Sequence, residues 1–194
     1  MSDKDTIIKI RNTTGAGIMD IKEALEESGG DEEKALELLR KKGQKIAAKR
    51  AQRETSEGWI GSYLHSTGKV ASLVRLQCET DFVARNEQFR QLAHDIAMHI
   101  AAANPIYLKQ EDVPADVIEK EREIYREEAG SGNKPAEIIE KIVAGKLEKF
   151  YEETCLLSQP YIKDDSRTIL QLIEEATAAI GEKIEIGGFS REQI

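Results

Sequence analysis

The chain has 194 residues, enough for one or two domains with a buried core, and its 33% charged and 40% hydrophobic content is that of a globular protein. A net charge of −8 argues against sequence-independent binding to nucleic acid, which needs a basic surface. No apolar run approaches the roughly 20 residues of a membrane span. The opening Met1-Ser2-Asp3-Lys4-Asp5-Thr6 lacks the apolar stretch of a secretory signal, and Cys78 and Cys155 have no metal spacing, so a cytoplasmic protein with reduced thiols is expected.

The first 43 residues predict three short helices. Ile7 and Ile10 mark the first, which Thr13-Thr14-Gly15-Ala16-Gly17 breaks. The second carries Ile18, Ile21, Ala24 and Leu25 on one face and stops at Gly29-Gly30. The third has Asp31 as its cap, Glu32 and Glu33 in the first turn, Arg40-Lys41-Lys42 in the last and Gly43 beyond, a charge order that complements the helix dipole. The basic stretch over 40–53 reads as a solvated helix face joining two domains, with a nucleic-acid contact as the alternative, and the boundary falls near residue 55.

Trp59–His65 and Val70–Cys78 have the alternation of strands, joined through Ser66-Thr67-Gly68-Lys69 as a hairpin. In the second strand Val70, Val74, Leu76 and Cys78 share a face opposite Arg75, Gln77 and Glu79. Asn86 is a good N-cap for an amphipathic helix ending before Pro105. Further helices are expected from Pro114, from Pro135 after a turn at Gly130-Ser131-Gly132-Asn133, and from a cap at Asp165 or Ser166 to Gly181. Glu182–Ile186 alternates as a third strand. The fold class is α+β: a three-helix bundle, then a small three-stranded antiparallel sheet packed with helices.

Thr80-Asp81-Phe82-Val83 therefore sits where a strand hands over to a helix. From chemistry alone Phe82 reads either as a core residue or as an exposed probe with Asp81 beside it. Cys78-Glu79-Thr80-Asp81-Phe82-Val83-Ala84-Arg85-Asn86 resembles the signature of the elongation factor Ts family, the nucleotide-exchange partners of elongation factor Tu. The run from Thr13 to Leu25 resembles that family's N-terminal signature, Cys155-Leu156-Leu157-Ser158-Gln159-Pro160 a further segment of it, and the three helices resemble the ubiquitin-associated fold.

The resemblance implies a guanine-nucleotide exchange factor acting on GDP-bound elongation factor Tu. It places Thr80, Asp81, Phe82 and Val83 at the partner's magnesium–phosphate site, with Phe82 a wedge and Asp81 adding polar contacts or repulsion. Gly17, Ile18, Met19 and Asp20 would form the N-terminal contact, with Met19 either docking on the partner or packing in its own bundle. Residues 1–54 would be the Tu-binding module with its basic linker and 55–194 the core. The chain resembles short members of the family, which lack the coiled-coil insertion and second core subdomain and pair as homodimers. The alternative is an adaptor built on the ubiquitin-associated-like module, without exchange activity.

Chemistry for an enzyme is not legible. A phosphate-binding loop ending at Lys69 would need glycine at Tyr63 and a following helix, and Gly15-Ala16-Gly17 lacks the third glycine of a dinucleotide fingerprint. His94 and His99 are five apart, which turns them away from each other on a helix. No catalytic residue, metal ligand or cofactor is expected, and neither nucleic acid nor membrane is expected as a partner.

Overall fold

The computed structural model describes residues 3–130 and 135–194, so most of the turn expected at Gly130–Asn133 lies outside the described residues. The helices are α1 (Asp3–Thr14), α2 (Ile18–Glu27), α3 (Glu32–Arg50), α4 (Asp81–Ala84), α5 (Glu87–Ala103), α6 (Ala115–Gly130), α7 (Ala136–Thr154) and α8 (Ile169–Ile180). The strands are β1 (Glu57–Leu64), β2 (Val70–Cys78), β3 (Pro160–Tyr161), β4 (Asp164–Thr168) and β5 (Glu185–Gln193). Helix and sheet are mixed as expected, and the chain divides into two compact units. One takes in the chain up to Met98 and returns with Leu170–Ile194; the other is His99–Ile169. No helix among the described residues is long and apolar enough to cross a membrane.

In the first unit α1, α2 and α3 close over Ile10, Ile21, Ala24, Ala35 and Leu39. Asp31 caps α3 as its position predicts, its carboxylate accepting the Lys34 N–H at 3.2 Å. The helix does not stop at Gly43 but runs on to Arg50. Gly43 is buried, and a methyl there would meet Ala178 on α8 at 3.8 Å, so the glycine faces a neighbour instead of ending a helix. The basic stretch is likewise more than a solvated face. Arg40 lies 3.6 Å from Glu175, Lys42 bridges Asp20 and Glu23 at 2.8 and 2.6 Å, and Arg50 donates to the Thr177 carbonyl at 3.1 Å.

The three long strands form an antiparallel sheet in the order β1-β2-β5. Ser72, Val74, Leu76 and Cys78 of β2 are buried, as the period of two requires. The strand expected at Glu182–Ile186 instead starts at Glu185 and continues to Gln193, with a bulge opposite Arg75 and Leu76 that takes up Gly187. α5 lies on the buried face so closely that a side chain at Gly61 would overlap the Ala93 carbonyl, and the Ser72 hydroxyl donates to the Ala97 carbonyl. The opposite face exposes Ile60, Leu64 and Leu73.

The second unit is organised around Gln159. Its side-chain N–H groups reach the Glu153 carbonyl at 2.8 Å and the Ala103 carbonyl at 3.5 Å, while its Oε1 meets His99 Nε2 at 3.0 Å. His99 is fully buried, and its Nδ1 accepts the Ile162 N–H at 3.3 Å, which fixes the neutral ring with its proton on Nε2. α6 and α7 pair antiparallel through Arg126–Glu140 and Lys146–Glu128. A short hairpin of β3 and β4 was not legible in the sequence. It claims Asp165 and Ser166, which were expected to cap α8, because the Asp164 carboxylate takes the Ser166 N–H at 3.2 Å and forms a turn there.

Burial holds the His99 pKa below its ordinary 6.5, against the opposing pull of the Gln159 hydrogen bond. The unfolded chain then takes up the proton first as pH falls. This contribution to stability is whole above pH 6.5 and is lost below it, towards the lowered folded value. Urea unfolding should show the midpoint falling as the pH drops below 6.5, and His99→Gln should flatten that part of the profile.

Candidate functional site

The candidate site starts where β2 ends. Thr80 is extended (φ −127°, ψ 156°) and precedes α4, a single turn made of Asp81, Phe82, Val83 and Ala84. The strand therefore hands over to α5 through a separate helical turn, a refinement of the expected corner. The turn closes through Ala84 N–H to the Thr80 carbonyl at 3.2 Å and Arg85 N–H to the Asp81 carbonyl at 3.1 Å. Asn86 caps α5, its Oδ1 accepting the Gln88 N–H at 2.8 Å.

Thr80 makes no side-chain cap for its own helix. Its hydroxyl instead donates to Glu182 Oε1 at 2.7 Å, while the backbone N–H groups of Glu79 and Thr80 donate to Glu182 Oε2 at 3.2 and 3.0 Å. The exchange is reciprocal: the Lys183 N–H donates to Glu79 Oε1 at 2.6 Å, and Arg53 bonds the Glu79 carboxylate at 3.2 Å. These donors hold the Glu79 pKa below the usual carboxylate range, the Lys183 amide foremost. Gly181, at φ +90°, ends α8 and turns the chain so that Glu182 faces the corner.

On this frame Phe82 is 81% exposed, and Ala84 is turned inward. Asp81 pairs with Arg85 at 3.0 Å along the turn, a surface contact of about 0.3–0.5 kcal/mol. Val83 and Thr80 are half-buried. Arg90 supports the turn from α5, its Nε donating to the Ala84 carbonyl at 3.3 Å while its guanidinium lies 4.0 Å over the Trp59 ring. Behind the corner, burial and then the Glu182 charge push the Cys78 thiol up to about 11, so it is an inert packing group.

The N-terminal residues form a second exposed feature. Gly17 is extended (φ −63°, ψ 144°) at the start of α2, and its carbonyl accepts the Ile21 N–H at 3.0 Å. Met19 is 75% exposed and Ile18, expected on the apolar face of α2, is 44% exposed. Ile21 and Ala24 fill the bundle without them. Asp20 is occupied by Lys42, whose two carboxylate partners push its pKa up.

Thr80 to Val83 thus share one turn, and Gly17 to Asp20 share the first turn of α2. Glu182 is the residue that sequence reasoning missed. It reads there as one position of an alternating strand, and its partners lie 102 and 103 residues away. Cys78 and Cys155 are free and buried, and among the described residues no group of three or more His, Cys, Asp or Glu gathers into a metal site.

A family model described as Elongation factor TS matches residues 10–193. The elongation factor Ts of Fervidobacterium nodosum is 55% identical over 186 residues, covering 96% of this chain and 94% of that protein. That of Nitratidesulfovibrio vulgaris is also 55% identical, over 96% of this chain and 93% of its own length. The elongation factor Ts of Thermotoga petrophila is 53% identical over 190 residues, 98% of this chain and 94% of its own.

Proposed function

The chain belongs to the elongation factor Ts family and is a translation elongation factor; on that premise we propose that it is a guanine-nucleotide exchange factor that binds GDP-bound elongation factor Tu in the cytoplasm and speeds GDP release. The observation that carries this reading is an aromatic ring left 81% exposed on a turn tied down at both ends. A bare phenylalanine costs hydration wherever it is exposed. Burying it in a partner returns about 1.5–3 kcal/mol, which is available to offset displacement of the partner's own groups.

The chemistry asked of the partner is modest. A G protein holds its nucleotide through a phosphate-binding loop and a magnesium ion that neutralises phosphate charge. Phe82, inserted beside that site with Thr80 and Val83 as its shoulders, disturbs the magnesium shell. Asp81 adds a carboxylate that favours the magnesium-free arrangement. Thermodynamic reciprocity fixes the rest: if the factor weakens nucleotide binding, nucleotide weakens binding of the factor by the same ratio. The factor then catalyses exchange, makes or breaks no covalent bond, and needs no cofactor or nucleic acid of its own.

Residues 1–54 act as a second foothold through Gly17, Ile18, Met19 and Asp20, with residues 55–194 as the core that carries the wedge. Exposure of Met19 supports this, since methionine adapts to a partner surface. Two copies of the chain pair through the outer face of the sheet. Its support is the uncovered Ile60, Leu64 and Leu73, at 55%, 67% and 48% exposure.

Release of fluorescent GDP from elongation factor Tu tests the reading. The chain should accelerate release, and Phe82→Ala should cut the acceleration at least about tenfold while changing the unfolding free energy measured in urea by no more than about 0.5 kcal/mol. An adaptor without exchange activity would bind and leave the release rate unchanged. In the same assay Met19→Ala should raise the half-saturating concentration about threefold with the maximal rate kept. Sedimentation should report a dimer of the 21.7 kDa chain, and Leu73→Glu should shift it to monomer.

A further inference from the structure

We propose that Glu182 is a positioning residue for exchange: its carboxylate, delivered from the far end of the chain, holds the Thr80–Val83 turn in the orientation that delivers Phe82. The inference rests on the exchange reading and adds to it a residue outside the 80–83 segment.

The geometry singles it out. A one-turn helix has little stability of its own, because nucleating a turn fixes several dihedrals for a single hydrogen bond. α4 also begins without a side-chain cap. The residues that lead into it, Glu79 and Thr80, offer two backbone amides and the Thr80 hydroxyl beyond the end of β2, and all three donate to the two oxygens of Glu182 at 2.7–3.2 Å. An ionised acceptor taking three donors makes charge-assisted bonds, stronger than neutral ones and directional. The return bond from the Lys183 amide to Glu79 makes the contact two-sided, so the corner resists both tilting and sliding. Glu182 acts through the backbone and the Thr80 hydroxyl, and its effect is to restrict where the ring points.

A preorganised wedge and a floppy one differ in a specific way. With the corner loosened, the N-terminal foothold still captures the partner, but only a fraction of complexes carry the ring in the productive orientation. The maximal rate falls while the half-saturating concentration stays close to that of the wild type.

The test uses the full chain with elongation factor Tu and fluorescent GDP. Glu182→Ala should lower the maximal release rate about tenfold, change half-saturation less than about threefold, and speed amide hydrogen exchange at Glu79 and Thr80. Glu182→Gln keeps an acceptor for the amides and can turn its amide group to the Thr80 oxygen. It should recover the rate to within about threefold. Full wild-type rate in Glu182→Ala with faster exchange at those two amides would overturn the proposal. So would equal losses in the alanine and glutamine variants when the two fold alike. If Glu182→Ala does not fold, Glu182→Gln decides through the same comparison: amides protected with the rate kept supports positioning, and amides protected with the rate lost overturns it. No acceleration by the wild-type chain would instead remove the exchange reading itself.

Discussion

A pair of crossed carboxylates holds the corner that carries the proposed wedge. Glu182 gathers the two amides that follow β2 and the Thr80 hydroxyl, and Glu79 takes the Lys183 amide in return. Both acids come from the polar edge of the fold, and neither is fully buried. Their worth lies less in raw stability than in direction, since hydrogen bonds to a charged acceptor contribute about 1.5–3 kcal/mol each and less where water competes. They convert a strand end, which would fray, into a fixed mount for a one-turn helix. The exposed ring of Phe82, the Asp81–Arg85 pair and the cap at Asn86 are all arranged downstream of that mount.

The basic stretch from Arg40 to Arg53, most of it within α3, has a related logic. In a chain of net charge −8, a cluster of Arg and Lys invites a reading as an anion-binding surface. Much of it is spent internally: Arg40 and Arg50 hold α8, Lys42 holds α2, and Arg53 holds Glu79. Each of these partly exposed pairs is weak by itself. Together they fix α3 along α8, and the close approach at Gly43 lets the two helices sit flush. Most of the basic stretch is therefore the second half of α3, laid against α8.

What the sequence made legible was what depends on near neighbours. The alternation of β2, the caps at Asp31 and Asn86, and the stop of α5 at Asn104 before Pro105 are all local physics, and all are present. The 80–83 segment was legible as a corner because a period of two gives way there to a period of 3.6. The errors share one cause, which is a long-range partner outweighing a local signal. Gly43 looked like a helix stop because its neighbour Ala178 on α8 lies far downstream in the chain. Asp165 and Ser166 looked like helix caps because the same chemistry closes a tight hairpin. Gly187-Gly188 hid the length of β5, since a bulge accommodates glycines that would otherwise break a strand. Glu182 was invisible for the same reason, as its partners are a hundred residues away.

The stacking of Arg90 on Trp59 has a practical side. Trp59 is the chain's one tryptophan, and Arg90 touches both its ring and the carbonyl that ends α4. The protein thus carries a natural fluorophore linked through Arg90 to the turn that holds the proposed wedge. A displacement of that turn would carry the cation with it, and the emission of the unlabelled chain would then report on the corner without any label.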